Sequence, residues 1–189
     1  MTTELRFTSR DLECMPDLPG VRYEIIDGEL YVSRAPTVPH QHACFQVSHA
    51  LGTWDDETQA GFVFGGPGLV FAPDNDVIPD LVWVSRGRLA QALDEKGHFR
   101  VAPELVVEVL SPGPVNELRD RQLKLDLYSR QGVQEYWIVD WQQHSMQVYR
   151  RVGSGLNLAA TLADGDVLST PLLPGFSLAV SKLWDLPIP

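Results

Sequence analysis

A single carboxylate, Glu108, interrupts an otherwise apolar run at residues 105–110, Leu-Val-Val-Glu-Val-Leu. Desolvating a carboxylate there is costly unless a cation or hydrogen-bond donors accompany it, so Glu108 is either a paired structural acid or a ligand. Asp80 follows Pro79 at the mouth of a second apolar run, Leu-Val-Trp-Val. Alone it reads as a turn cap, and beside Glu108 as a second ligand. Lys124 offers a cation. On a helix at 100° per residue with Lys124 at zero, Leu118 and Leu125 fall near about +110°, Leu123 and Leu127 near about −80°, and Tyr128 near about +40°. Lys124 therefore lies in the middle of the inward face, flanked by Asp120 and Tyr128 at i−4 and i+4. Arg119, Gln122, Asp126, Ser129 and Arg130 gather on the opposite side. An intrahelical Asp120–Lys124 pair that snorkels to the edge is the plainer reading of the same wheel. As a set, two carboxylates on neighbouring strand ends suit Mg²⁺, a hard cation that takes oxygen ligands and keeps several waters. A lysine beside them suits hydrolysis of a phosphodiester, in which the ion supplies Lewis acidity and offsets the acidic charge.

Several elements must position these residues. Residues 105–110, closed by Ser111-Pro112-Gly113-Pro114, form a central strand buried on both faces. A helix over residues 116–131 follows, with Asn116 as N-cap and Gly132 as the C′ residue, then a strand over 135–140. Strand, crossover helix and strand make a βαβ unit with parallel strands. Upstream, a capping-box variant at Thr8-Ser9-Arg10-Asp11 starts a short helix. Asp27-Gly28 between two β-prone runs marks a type I′ hairpin. A helix over residues 39–56 repeats Ala43, Val47, Ala50, Leu51 and Trp54 on one face. Residues 61–71 read as a strand and its partner, 74–76 as a polar turn, 77–85 as a strand, and Ser85 as the cap of a short helix. Segments at 147–151, 156–161 and 176–180 read as shorter peripheral strands.

The 189 residues, 44% of them hydrophobic, suit one domain over residues 1–189 with a sizeable core. No run approaches the roughly 20 apolar residues of a membrane span, the first six residues lack signal-peptide character, and two cysteines are too few for a disulfide framework. A cytoplasmic protein without a membrane role is expected. The net charge of −10 excludes broad attraction to nucleic acid, so any such function rests on a local site. His40, His42 and His49 include no pair with good ligand spacing, which makes a zinc hydrolase built on histidines a poor reading. His40, at its helix entrance, stands apart from the other two.

Five ordered motifs carry a resemblance across nearly the whole chain: Arg-Tyr-Glu-Ile-Ile-Asp-Gly-Glu-Leu from Arg22; Ala35-Pro36 with Pro39-His40; Pro79-Asp80-Leu81-Val82; the Pro103 to Pro112 stretch; and Asp120, Lys124 and Tyr128 followed by Gly132-Val133-Gln134-Glu135-Tyr136-Trp137-Ile138-Val139-Asp140. The chain resembles the PD-(D/E)XK nuclease superfamily, and within it the bacterial Uma-type family of restriction endonuclease-like proteins. The resemblance implies an α/β (α+β) restriction-endonuclease-like core, a mixed β-sheet flanked by helices, with an N-terminal β-hairpin and peripheral C-terminal strands. It implies a Mg²⁺- or Mn²⁺-dependent endonuclease acting on DNA, with Asp80, Glu108 and the Val109 backbone carbonyl as metal ligands and Lys124 as the catalytic cation. Glu29, His40, Asp120 and Tyr128 are auxiliary. In the usual motif a lysine stands two residues after the second acid, where this chain has Leu110, so Lys124 represents a lysine migrated to the helix. Exposed strand edges are compatible with a homodimer. The segment Gly113-Pro114-Val115-Asn116-Glu117 lacks the hydroxyls and basic residues that many relatives carry there. That lack and the acidic balance favour the rival expectation, a non-catalytic module of the same fold that binds protein or nucleic-acid partners.

Overall fold

The computed structural model describes residues 5–187, so part of the N-terminal stretch read above lies outside them. Helix α1 (Ser9–Leu12) starts at the expected box, where the Thr8 N–H donates to Asp11 Oδ2 at 2.7 Å. Strands β1 (Val21–Ile26) and β2 (Glu29–Arg34) form the hairpin, with Asp27 at φ 48° and Gly28 at φ 79°, the left-handed pair that a type I′ turn demands. Helix α2 (Val38–Thr58) follows, then β3 (Gly61–Gly65), β4 (Leu69–Ala72), β5 (Asn75–Val77), β6 (Leu81–Ser85), α3 (Arg86–Ala92) and β7 (Leu105–Val109). The next helical stretch is α4 (Pro114–Leu118), a π-helical turn (Arg119–Leu123) and α5 (Lys124–Gln131). Strands β8 (Glu135–Asp140), β9 (Ser145–Val152), β10 (Gly155–Ala163), β11 (Val167–Thr170) and β12 (Leu173–Ala179) complete the order, with a short 3-10 turn at Val180–Leu183.

The main sheet has six strands in the order β10-β9-β8-β7-β6-β3, and only its β7–β8 pair is parallel, as the βαβ reading requires. β7 is central and wholly buried. Alternation along it sends Leu105, Val107 and Val109 towards Ala43, Val47 and Leu51 of α2, and Val106 and Leu110 towards Leu127 and Tyr128 of α5. Two apolar layers thus sandwich the mixed sheet between helices, and Glu108 falls on the α5 side. A second sheet, β2-β1-β5-β4, carries the hairpin, and β11 pairs with β12 beyond the main sheet.

Several local expectations are corrected. β3 and β4 are not partners: β3 pairs with β6 in the main sheet and β4 with β5 in the small one, because the glycines between them let the chain change sheets. Residues 74–76 are not all turn, since Asn75 begins β5. Ser85 precedes α3 but makes no cap bond; its hydroxyl donates to Glu104 Oε1 at 2.6 Å. Asn116 is not the N-cap, a position taken by Gly113; its Nδ2 instead donates back to the Pro112 carbonyl at 2.8 Å. Gly132 does terminate α5, at φ 89°. Strands β9 and β10 are longer than the peripheral pieces expected and extend the main sheet.

Candidate metal centre

Strand register brings the two acids together. Leu81 pairs with Val107 across β6 and β7, so continuing by one residue sets Asp80 opposite Glu108. The Val109 N–H donates to Asp80 Oδ2 at 2.9 Å, which ties the carboxylate to the β7 backbone. From α5, Lys124 Nζ donates to Glu108 Oε1 at 2.9 Å and the Tyr128 hydroxyl donates to the same oxygen at 3.0 Å. Lys124, only 1% exposed, also sits 2.8 Å from Glu24 Oε1 of β1, but 3.8 Å from Asp120 Oδ1. The lysine is therefore shared by acids from two strands, and the snorkelling intrahelical pair is not what forms.

The π turn completes the cluster. Its i→i+5 bond, from the Lys124 N–H to the Arg119 carbonyl, stacks Arg119 on the face of Lys124, whereas a regular α-helix sets the two about 140° apart. Arg119, expected outside, is buried. It donates to Asp120 through Nε at 2.8 Å and Nη2 at 3.1 Å, with Nη1 3.5 Å from Glu24 Oε2. Leu118, expected inside, is 47% exposed for the same reason. The Asp120 carbonyl accepts from the Tyr136 hydroxyl at 2.8 Å, which pins the turn to β8.

On the other flank, His40 in the first turn of α2 sets Nε2 3.2 Å from Asp80 Oδ2, and Arg22 Nη1 lies 3.5 Å from Asp80 Oδ1. These residues, with Ser33, Arg34, Ser111 and the acids, line a cleft of about 30 Å³, roughly the room a water or a bare ion needs.

Four carboxylates (Glu24, Asp80, Glu108, Asp120) meet two buried cations, Lys124 and Arg119. The shortfall lands on Glu108. Burial, against the pull of Lys124 and with Asp120, Asp80 and Glu24 adding to it, pushes its carboxyl up to about 8. Burial also acts on Glu24, but Lys124, Arg119 and the Ile78 N–H outweigh it and hold that acid below its ordinary value. Asp80 is likewise held low against burial, by His40 and the Val109 N–H. Burial opposes the charge on Lys124, yet Glu108, Glu24 and Asp120 raise its pKa, so it stays an ammonium. An acid crowded into holding a proton at neutral pH is what a divalent cation would relieve, and its neighbours offer oxygen donors. The residues fit Mg²⁺ or Mn²⁺.

Of the site residues expected from sequence, Asp80, Glu108, Lys124, Asp120, Tyr128 and His40 converge, and Val109 is among the residues lining the cleft. Glu29 does not join them. It is exposed beside the hairpin turn, accepts from the Tyr31 hydroxyl at 2.7 Å and stands outside the cleft lining. Its place is taken by Glu24, which with Arg22 and Arg119 escaped notice. Period-two alternation along β1 puts Arg22, Glu24 and Ile26 on one face, a signal available in the sequence; the π turn that recruits Arg119 left none.

The Uma2 family, described as "Putative restriction endonuclease", matches residues 9–181. The fold is similar to the crystal structure of a "putative nuclease belonging to DUF820" from Anabaena variabilis, with a TM-score of 0.76 and 17% identity over 94% of this chain and 97% of that one. At that identity the likeness is one of fold. No protein of curated function matches the chain, and no described helix is long and apolar enough to cross a membrane. A family match spanning more than nine-tenths of the sequence means that the chain belongs to the Uma2 family.

Proposed function

We propose that this chain is a Mg²⁺- or Mn²⁺-dependent endonuclease of DNA. The observation that carries the reading is Glu108, an acid buried at the cleft beside Asp80 and short of compensating charge. Asp80, Glu108 and the Val109 carbonyl would hold the ion, which would supply Lewis acidity and offset the acids so that a phosphodiester can approach. Lys124 keeps its proton, so it acts as a fixed cation that favours ionisation of an attacking water and stabilises charge on the phosphate. It is not a base. Tyr128 and Glu24 hold its ammonium and Glu108 in register. Arg22, with its side chain 38% exposed, and Arg34 at the cleft give a phosphate its first positive contacts despite the net charge of −10.

Purified protein incubated with supercoiled plasmid and Mn²⁺ should nick or linearise it, and Glu108→Ala and Lys124→Ala should not. Absence of cleavage across ions and salts, or equal cleavage by both variants, would sink the assignment. The acidic charge favours a second reading, a non-catalytic module that binds a partner. Calorimetric titration separates the two: Mg²⁺ or Mn²⁺ binding lost in Asp80→Asn supports the enzyme, and no binding by the unaltered chain supports the module.

A further inference from the structure

His40 and Cys44 lie one helical turn apart on α2, and both face Asp80. Spacing among histidines alone reveals no cluster, because the i+4 partner of His40 is a cysteine. Cys44 Sγ lies 3.6 Å from His40 Nδ1 and His40 Nε2 lies 3.2 Å from Asp80 Oδ2, contacts through opposite ring nitrogens of which a single ion takes one; counted with one ligand atom per residue, the three fall within 4.8 Å of one another. His40 is 3% and Cys44 9% exposed.

We propose that His40, Cys44 and Asp80 form a binding site for a borderline-soft divalent ion, Zn²⁺ or Co²⁺, distinct in ligand set from the oxygen site of Asp80 and Glu108. The donor chemistry decides the class. A thiolate, an imidazole and a carboxylate are poor company for Mg²⁺ and good ligands for zinc, whose open sites use three protein ligands and leave a fourth position free. Bond lengths of roughly 2.0–2.3 Å in a tetrahedron separate ligands by roughly 3.3–3.7 Å, so ligand atoms lying within 4.8 Å close by at most about 1 to 1.5 Å. His40 and Asp80 also line the cleft, while Cys44 stands behind them outside its lining. Binding releases the Cys44 proton, which burial and the Asp80 and Glu108 carboxylates otherwise hold on the thiol. Asp80 belongs to both ligand sets, but the thiolate and imidazole hold the softer ion against Mg²⁺.

The test is spectroscopic and independent of nuclease activity. Cys14, the other thiol, is exposed, so the full chain is used in a Cys14→Ser background and titrated with Co²⁺. A thiolate-to-cobalt charge-transfer band should saturate at one equivalent, vanish on addition of Zn²⁺ and withstand excess Mg²⁺. Cys44→Val, which keeps apolar volume, should lose the band. His40→Gln and Asp80→Asn should weaken Co²⁺ binding at least tenfold, and Glu108→Gln should leave the band in place. No band in the unaltered chain overturns the site, as does a band of unchanged affinity in both His40→Gln and Asp80→Asn. If Cys44→Val does not fold, those two variants alone decide. A band without DNA cleavage leaves this site standing and the nuclease reading failed.

Discussion

Replacing Glu108 by glutamine should stabilise the metal-free protein, although it removes one partner of a buried ion pair. Breaking such a pair ordinarily costs about 3–5 kcal/mol, because the other charge is left alone. Here Lys124 retains Glu24 at 2.8 Å and Asp120 at 3.8 Å, so the charge in excess is the carboxylate. The folded chain holds the Glu108 proton until about pH 8, whereas the unfolded chain releases it near 4.5. A raised carboxyl pKa means the folded state binds more protons between those values, so stability falls as pH rises from 4.5 to 8. The gap of 8 − 4.5, about 3.5 pH units, caps the penalty at about 5 kcal/mol above pH 8. Glutamine keeps an acceptor for Lys124 and Tyr128 but forfeits charge-assisted bonds worth about 1.5–3 kcal/mol. The net expectation at pH 9 is a gain of about 1–3 kcal/mol, or roughly 2–12 °C in Tm for a chain of this length. At pH 5 it should shrink to within about 1 kcal/mol. Thermal unfolding in chelator at both pH values measures it. A variant less stable at pH 9, or a difference that ignores pH, would falsify this charge accounting.

Other perturbations test the remaining parts. Lys124→Met keeps the chain's bulk but leaves Glu24, Glu108 and Asp120 facing one another, and should cost about 3–5 kcal/mol at pH 8 by denaturant titration, with the loss shrinking as the acids protonate at lower pH. Deleting exposed Gln122 restores regular α-helical spacing and turns Arg119 away by about 100°. Helix content by circular dichroism should persist while Mn²⁺-dependent cleavage is lost; retained cleavage would mean that the π turn does not place the site.

The larger elements were legible because local rules and tertiary demands agree in them. Asp27-Gly28 fixes its hairpin through backbone conformation, and the buried β7 followed by a helix closed at Gly132 fixes the parallel β7–β8 pair. Glu108 and Lys124 were legible as a charge in an apolar run and a charge on an apolar helix face. What the sequence concealed depends on geometry that no period encodes. The sheet change between β3 and β4 is a matter of pairing partners, and one π turn moves Arg119 from solvent to site. Glu24 is a different case: its alternation with Arg22 is visible in the sequence, and Glu29, five residues on in the same hairpin, is exposed instead.

Lys124 on α5 has a consequence for how the molecule comes apart. Lys124 joins Glu24 from 100 positions earlier (124 − 24) with Glu108 from 16 earlier, so its pair with Glu24 closes only after the hairpin has docked on the βαβ unit. Contacts of such sequence separation form late, and late contacts govern the rate of unfolding far more than that of folding. A divalent ion seated beside them would act as a clasp, prolonging the life of the folded state while leaving the time needed to reach it almost unchanged.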